Sequence, residues 1–179
     1  MNKSEIRKKI LKIRKHYIYK NLDINFKYIL RILKKNKITS KIVGGYFPHN
    51  YEMNTINILD KFEKIGYAIS LPKIKKKSKM NFFHWSFRDP LSINEYGIPE
   101  PTSNKILLPG ILLVPLVAYD EECNRVGYGG GFYDRYIRKI KKNKKIITIG
   151  LAYSFQKIRK VPTNRYDMKL DFIITNKKN

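Results

Sequence analysis

The sequence predicts a single α/β domain over residues 1–179, with a mostly parallel sheet flanked by helices in a Rossmann-like three-layer arrangement. Two observations carry this expectation. Apolar runs of strand length alternate along the chain with segments of helical period, the order that sets strands parallel with helices crossing between them. The 179 residues, 42% of them hydrophobic, suffice for one domain with a sizeable core.

The elements follow in order. Ile6, Ile10, Ile13 and Tyr17 share one helical face, and Asn2 with Glu5 makes a capping box at the start of that helix. A second helix runs through Phe26, Ile29, Leu30 and Leu33. Residues 41–47 read as a strand ending in a Gly/Pro/Asn loop. A helix over 54–65 then turns Ile56, Leu59, Phe62 and Ile65 inward and stops at Gly66. Residues 67–71 form a short strand that Pro72 ends, residues 73–79 a basic exposed loop, and residues 80–87 a strand on a sheet edge. Residues 89–109 carry four prolines and no period, so they are expected to be an ordered loop. The apolar run 111–118 fits a strand covered on both faces. A glycine-rich loop follows, then a helix over 132–142, a buried strand over 145–152 and a last strand over 172–175. In such sheets ligands bind at the carboxyl ends of the strands, so the loops at 48–52 and 120–131 are expected to share one cleft.

Lys and Arg number 38 against 14 Asp and Glu, a formal charge of +24. That excess attracts polyanions, but it is spread along the chain, as on a solvated surface. No nucleic-acid motif or clustered basic stripe is visible. The one cysteine, Cys123, permits no internal disulfide and no cysteine zinc site. The longest apolar run, 106–118, contains Pro109 and Pro115 and is too short to span a bilayer, and the N-terminus lacks a signal-peptide core. A soluble, cytoplasmic protein is expected, and, with no exposed apolar stripe visible, a monomer. His16, His49 and His84 are scattered and receive no catalytic task.

The chemistry concentrates in Arg125–Arg135, which reads RVGYGGGFYDR. Gly127, Gly129, Gly130 and Gly131 let backbone N–H groups approach an anion, and the helix that begins at Phe132 adds its dipole. Arg125 offers a forked cation suited to phosphate, and Asp134, in the first turn of that helix, is placed to hold a Mg²⁺ bridging phosphates. Glycine content alone fits a flexible turn equally well. The loop is neither a Gly-Lys-Ser/Thr phosphate loop nor a GxGxxG dinucleotide fingerprint.

The stretch LLVPLVAYDEECNRVGYGGGFYDR resembles the hallmark of the 5-formyltetrahydrofolate cyclo-ligase (methenyltetrahydrofolate synthetase) family. Further family features recur in order: Lys3 and Arg7, Tyr46 with EMNT at 52–55, Leu71-Pro72, YGIPEP at 96–101, GLAYSFQ at 150–156, and Pro162 with DMKLD at 167–171. In departure from the pattern, Gly130 stands where some members carry a lysine, Phe132 replaces a tyrosine, and Leu116 and Tyr119 replace a Gly and a Phe.

The resemblance implies conversion of 5-formyltetrahydrofolate to 5,10-methenyltetrahydrofolate, with MgATP becoming ADP and phosphate. It places Lys3 and Arg7 on the ATP phosphates, with Arg125 as the catalytic cation and Gly127, Tyr128, Gly129, Gly130, Gly131, Phe132 and Tyr133 wrapping the triphosphate. Tyr128 and Tyr133 would also touch the folate, Glu52 would bind the pterin, Tyr96 would contact the folate, and Asp134 and Asp167 would hold Mg²⁺. Taken singly, these residues have plainer readings: Glu52 as a helix first-turn carboxylate, Lys3 and Arg7 as a solvated face, Asp167 as a turn residue. A basic nucleic-acid-binding module and a phosphate-loop enzyme with another substrate are the competing readings.

Overall fold

The computed structural model describes residues 1–16, 23–75 and 79–176. Its helices are α1 (Lys3–His16), α2 (Phe26–Lys35), α3 (Ile56–Lys64) and α4 (Phe132–Lys141). Six strands form the main sheet: β1 (Ile42–Gly44), β2 (Ala68–Lys75), β3 (Lys79–Trp85), β6 (Ile111–Val114), β9 (Ile147–Ala152) and β10 (Phe172–Thr175). Their order is β10-β9-β6-β1-β2-β3, and every pairing is parallel except β2 with β3. The expected mostly parallel α/β sheet is therefore present.

Side-chain alternation along β6 divides the core. Ile111 and Leu113 pack with Ile29 and Leu33 of α2 and Leu59 and Phe62 of α3, whereas Leu112 and Val114 pack with Ile137 and Ile140 of α4. Helices thus cover both faces, giving three layers. Helix α1 lies apart from these. It packs Ile6 and Ile10 on Val117, Ala118 and Val126, and its start is the expected capping box, with Asn2 Oδ1 accepting from Glu5 N and Asn2 N donating to Glu5. Tyr17 lies outside the described residues.

Several boundaries differ from the sequence expectation. Strand β2 does not stop at Pro72 but runs to Lys75, so much of the expected basic loop is strand; residues 76–78 of that loop lie outside the described residues. Proline is tolerated because β1 pairs only as far as Ser70, and beyond it the β1 side of β2 lacks a ladder partner. Strand β3 is the edge strand of the main sheet, though residues 105–107 bridge to its outer side. The proline-rich segment is not irregular throughout: β4 (Leu91–Ile93) and β5 (Pro99–Pro101) make a hairpin with Tyr96 at its tip. The buried face of α3 is Ile58, Leu59 and Phe62, and Ile65 is exposed beyond the helix end; Gly66 at φ 83° stops the chain as expected.

The largest difference lies ahead of the glycine loop. The run 111–118 is not one strand. β6 ends at Val114, and after Pro115 the chain forms a separate hairpin of β7 (Ala118–Tyr119) and β8 (Arg125–Val126). Asp120 organises its turn, accepting the backbone N–H groups of Glu122, Asn124 and Val161. Replacing Asp120 by Ala orphans the buried Val161 donor and two part-buried ones and is expected to lower unfolding stability by about 2 kcal/mol, read as a shifted urea midpoint; an unchanged midpoint would show that the hairpin stands without it.

Candidate active site

The loop after β1 builds one wall. Thr55 Oγ1 donates to the Tyr46 carbonyl and the Tyr46 hydroxyl donates to the Met53 carbonyl, folding residues 46–55 back on themselves. Within that turn the His49 N–H donates to the Glu52 carboxylate at 2.8 Å. Glu52 precedes α3 by several residues and is 8% exposed, so it is not a solvated first-turn carboxylate. Burial pushes its carboxyl up to about 7, against the lowering effects of the His49 N–H, the Arg14 charge and the Tyr128 hydroxyl.

The hairpin and α4 build the opposite wall. Arg125 lies on β8, ahead of the loop rather than in it. Its guanidinium, nearly enclosed, donates to Asp134 at 2.8 Å and to the Met168 carbonyl at 2.5 Å. Asp134 also accepts the Met168 N–H at 2.9 Å. Gly129 at φ 109° and Gly131 at φ 66° adopt left-handed backbone, and Gly131 is the N-cap of α4, with no side chain bonded over the helix end. The first turn of this ten-residue helix, Phe132 to Asp134, lies among the residues that line the cleft.

Cations bracket the loop. Arg7 Nε donates to the Gly127 carbonyl at 2.7 Å, and its guanidinium lies against Gly129. From the other side Arg135 donates to the Gly130 carbonyl at 2.7 Å and lies over the Phe132 ring. A Cβ at Gly130 would stand 2.6 Å from that ring, so a longer side chain there would require Phe132 to move. Lys3 pairs with Asp167, whose carboxylate also takes the Asn164 N–H.

The two walls face each other across a cleft of about 840 Å³, and every site residue expected from the sequence lines it. Tyr96 reaches it from the tip of the β4–β5 hairpin and is 52% exposed. The Tyr133 hydroxyl is enclosed without a partner among the described residues, and burial raises its pKa well above the usual tyrosine range. Among the described residues, no three His, Cys, Asp or Glu side chains gather as a preformed metal cage.

Sequence reasoning missed Arg14, Arg135 and Arg138. The last two line the cleft from α4, and Arg14 lies beneath Tyr128. Arg14 had a signal: it follows Ile6 and Ile10 at the same spacing, an arginine on the apolar face of α1.

A family model described as the 5-formyltetrahydrofolate cyclo-ligase family matches residues 1–176. The chain belongs to this family. A 5-formyltetrahydrofolate cyclo-ligase of Haemophilus influenzae is 34% identical over 138 residues, 73% of each chain. Another from Mycoplasma pneumoniae is 29% identical across 98% of this chain and 99% of its own. Among solved structures, the Aquifex aeolicus 5,10-methenyltetrahydrofolate synthetase superposes with TM-score 0.72 at 27% identity, covering 99% of this chain and 91% of that one. The Mycoplasma pneumoniae synthetase, at TM-score 0.74 and 24% identity over 99% of this chain and all of its own, shares the fold. The family is one of ATP-dependent ligases that make 5,10-methenyltetrahydrofolate from the 5-formyl compound. No described helix is long and apolar enough to cross a membrane.

The Glu52 shift has a stability consequence. Its folded pKa, about 7, lies above the ordinary 4.5, so the folded state holds the proton more tightly. The associated stability is present in full below pH 4.5 and is lost as pH rises through about 7. Glu52→Gln should therefore be more stable than the parent above pH 7 by roughly 3 kcal/mol, with the gap closing towards pH 4.5 in denaturant melts. A gap that does not change with pH would remove this account.

Proposed function

We propose that this cleft performs the family reaction in two half-sites, ATP on the glycine loop and 5-formyltetrahydrofolate against Glu52. The observation that carries this reading is the cleft's polarity. One wall offers a helix amide end, two left-handed glycines and flanking guanidinium groups, which suit a triphosphate. The other offers an enclosed carboxylate, which as the anion accepts paired N–H donors such as a pterin presents. An enclosed setting makes that hydrogen-bonded recognition selective, because a ligand lacking the donors leaves the charge unpaired.

The formyl oxygen is a poor leaving group. In the proposed sequence it attacks the γ-phosphorus and ADP leaves. N10 then attacks the activated carbon, N10 loses its proton, and phosphate departs as the five-membered ring closes. Phosphoryl transfer asks the protein mainly for positioning and positive charge. Lys3, Arg7, Arg125, Arg135 and Arg138 line the cleft and supply that charge. Arg7 and Arg135 stand on either side of the loop, which offsets the glycine at position 130.

Asp134 and Asp167 are the residues that would hold Mg²⁺. Both are hard oxygen donors lining the cleft, and two carboxylates plus phosphate oxygens form a donor set of the kind Mg²⁺ takes with a nucleotide. Bound there, the metal would neutralise phosphate charge. Each carboxylate is paired with a cation, Asp134 with Arg125 and Asp167 with Lys3, so the arrangement suits metal arriving with ATP.

Incubation with 5-formyltetrahydrofolate should produce the near-ultraviolet absorbance of the methenyl product only when both ATP and Mg²⁺ are present. A folded protein that gives no signal would refute the proposal. Arg125→Ala should lower kcat by about 100-fold or more while the far-ultraviolet spectrum is retained; unchanged turnover would take Arg125 out of the site. Glu52→Gln should weaken folate binding at least ~10-fold and leave ATP binding unaltered in calorimetry, and equal losses for both ligands would refute the division into half-sites.

A further inference from the structure

Arg14 is a buried cation with no role in the reaction described above. It is 1% exposed, on the face of α1 that otherwise packs Ile6 and Ile10 on the β7–β8 hairpin. A guanidinium so enclosed is costly unless its donors are used. Nη2 donates to the Leu116 carbonyl at 2.6 Å, and Nη1 donates to the Tyr128 hydroxyl at 2.6 Å and, at a longer 3.4 Å, to the Asn50 carbonyl. Among the described residues, Nε is buried without a partner. The acceptors come from three segments: the chain leaving β6, the glycine loop, and the loop that carries Glu52. Tyr128 reinforces the junction by donating to the His49 carbonyl at 3.4 Å.

A planar fork with fixed N–H directions can satisfy these acceptors only when the segments hold one relative arrangement. Leu116 belongs to the scaffold and anchors the fork. Tyr128 and Asn50 belong to the two walls of the cleft. A ligand that fixes the glycine loop would fix Tyr128, and through Arg14 it would fix the 48–52 loop as well. A second ligand then binds a wall whose entropy of ordering has already been lost.

We propose that Arg14 is a positioning residue that couples the nucleotide half-site to the folate half-site, so that occupancy of one raises the affinity of the other. This rests on the two-half-site reading of the cleft. It concerns binding free energy, so the enhancement is reciprocal.

Calorimetry of 5-formyltetrahydrofolate binding, alone and with saturating Mg²⁺ and a non-hydrolysable ATP analogue, tests it. The parent protein should show an enhancement of roughly five-fold or more. Arg14→Lys keeps the charge but loses the fork, and the enhancement should fall below about two-fold while each ligand alone still binds. Tyr128→Phe keeps Arg14 and its Leu116 anchor and removes the hydroxyl that Arg14 shares with the glycine loop; whatever it does to either affinity alone, the ratio of folate affinities with and without the ATP analogue should fall below about two-fold, and this decides the matter if the Arg14 variant does not fold. Retention of the enhancement in folded Arg14→Lys or in Tyr128→Phe would overturn the inference, as would a parent that binds both ligands without enhancement. A parent that binds neither ligand would overturn the half-site reading instead.

Discussion

The Arg125–Asp134 ion pair decides where the glycine loop can lie. Arg125 begins the second strand of the β7–β8 hairpin and Asp134 sits in the first turn of α4, so their 2.8 Å contact closes the loop between them. The same pair grips a third segment: Arg125 donates to the Met168 carbonyl, and Asp134 accepts the Met168 N–H. The Arg125 side chain is only 4% exposed, so the pair lies in a medium where the attraction is weakly screened and the desolvation cost is high. Such a pair holds because the remaining donor and acceptor capacity is used, as it is here by Met168. A loop of small residues, floppy if left alone, is thereby held at both ends by one charged contact.

That construction bears on an electropositive cleft before ligand arrives. Cations brought close together repel one another and destabilise the fold that gathers them. Here Lys3 is balanced by Asp167 and Arg125 by Asp134, while Arg7 and Arg135 spend their N–H groups on the carbonyls of the loop they flank. The carbonyls of Gly127 and Gly130 thus take their donors from the guanidinium groups on either side of the loop. The overall +24 charge is a different matter. It belongs mostly to residues spread over the surface, where salt screens it, and the site depends on the few cations that the loop geometry orients.

Much of the fold was legible because periodicity reports burial. The parallel strands 42–44, 111–114 and 147–152 lie in runs that are mainly apolar, and α2, α3 and α4 alternate with them, so the layers followed from pattern. The hairpin of β7 and β8 was not legible. Val117, Ala118 and Val126 are as apolar as β6, and only Pro115 marks that the chain has left the sheet. Pro72 misled in the opposite sense: a proline inside a strand reads as a terminator unless one knows that the neighbouring strand has already ended. In the candidate site, the glycine loop and its ordered companions identified every lining residue that was named, because those residues carry unusual composition. Arg14 and Arg135 escaped because each looks like one more cation in a chain with 38 of them, and their significance lies in which carbonyls they meet.

In the proposed reading, Glu52 is a residue at which function and stability pull in opposite directions. A glutamate closed off from water by the 46–55 turn, with burial outweighing the His49 N–H, Arg14 and Tyr128, is held near its protonation midpoint at neutral pH. A Gln or Met would suit the same enclosure better as far as folding is concerned. The carboxylate makes sense if a ligand supplies the missing donors, since a bound group with paired N–H donors favours the ionised form and removes the penalty. The proton that leaves Glu52 on binding then links folate affinity to pH: affinity should rise from acid towards pH 7 and level off above it, as the carboxyl ionises without help. The groups that oppose burial at this carboxyl come from three segments, Arg14 on α1, Tyr128 on the glycine loop and His49 on the 48–52 loop, so the electrostatic tuning of Glu52 depends on the placement of the glycine loop.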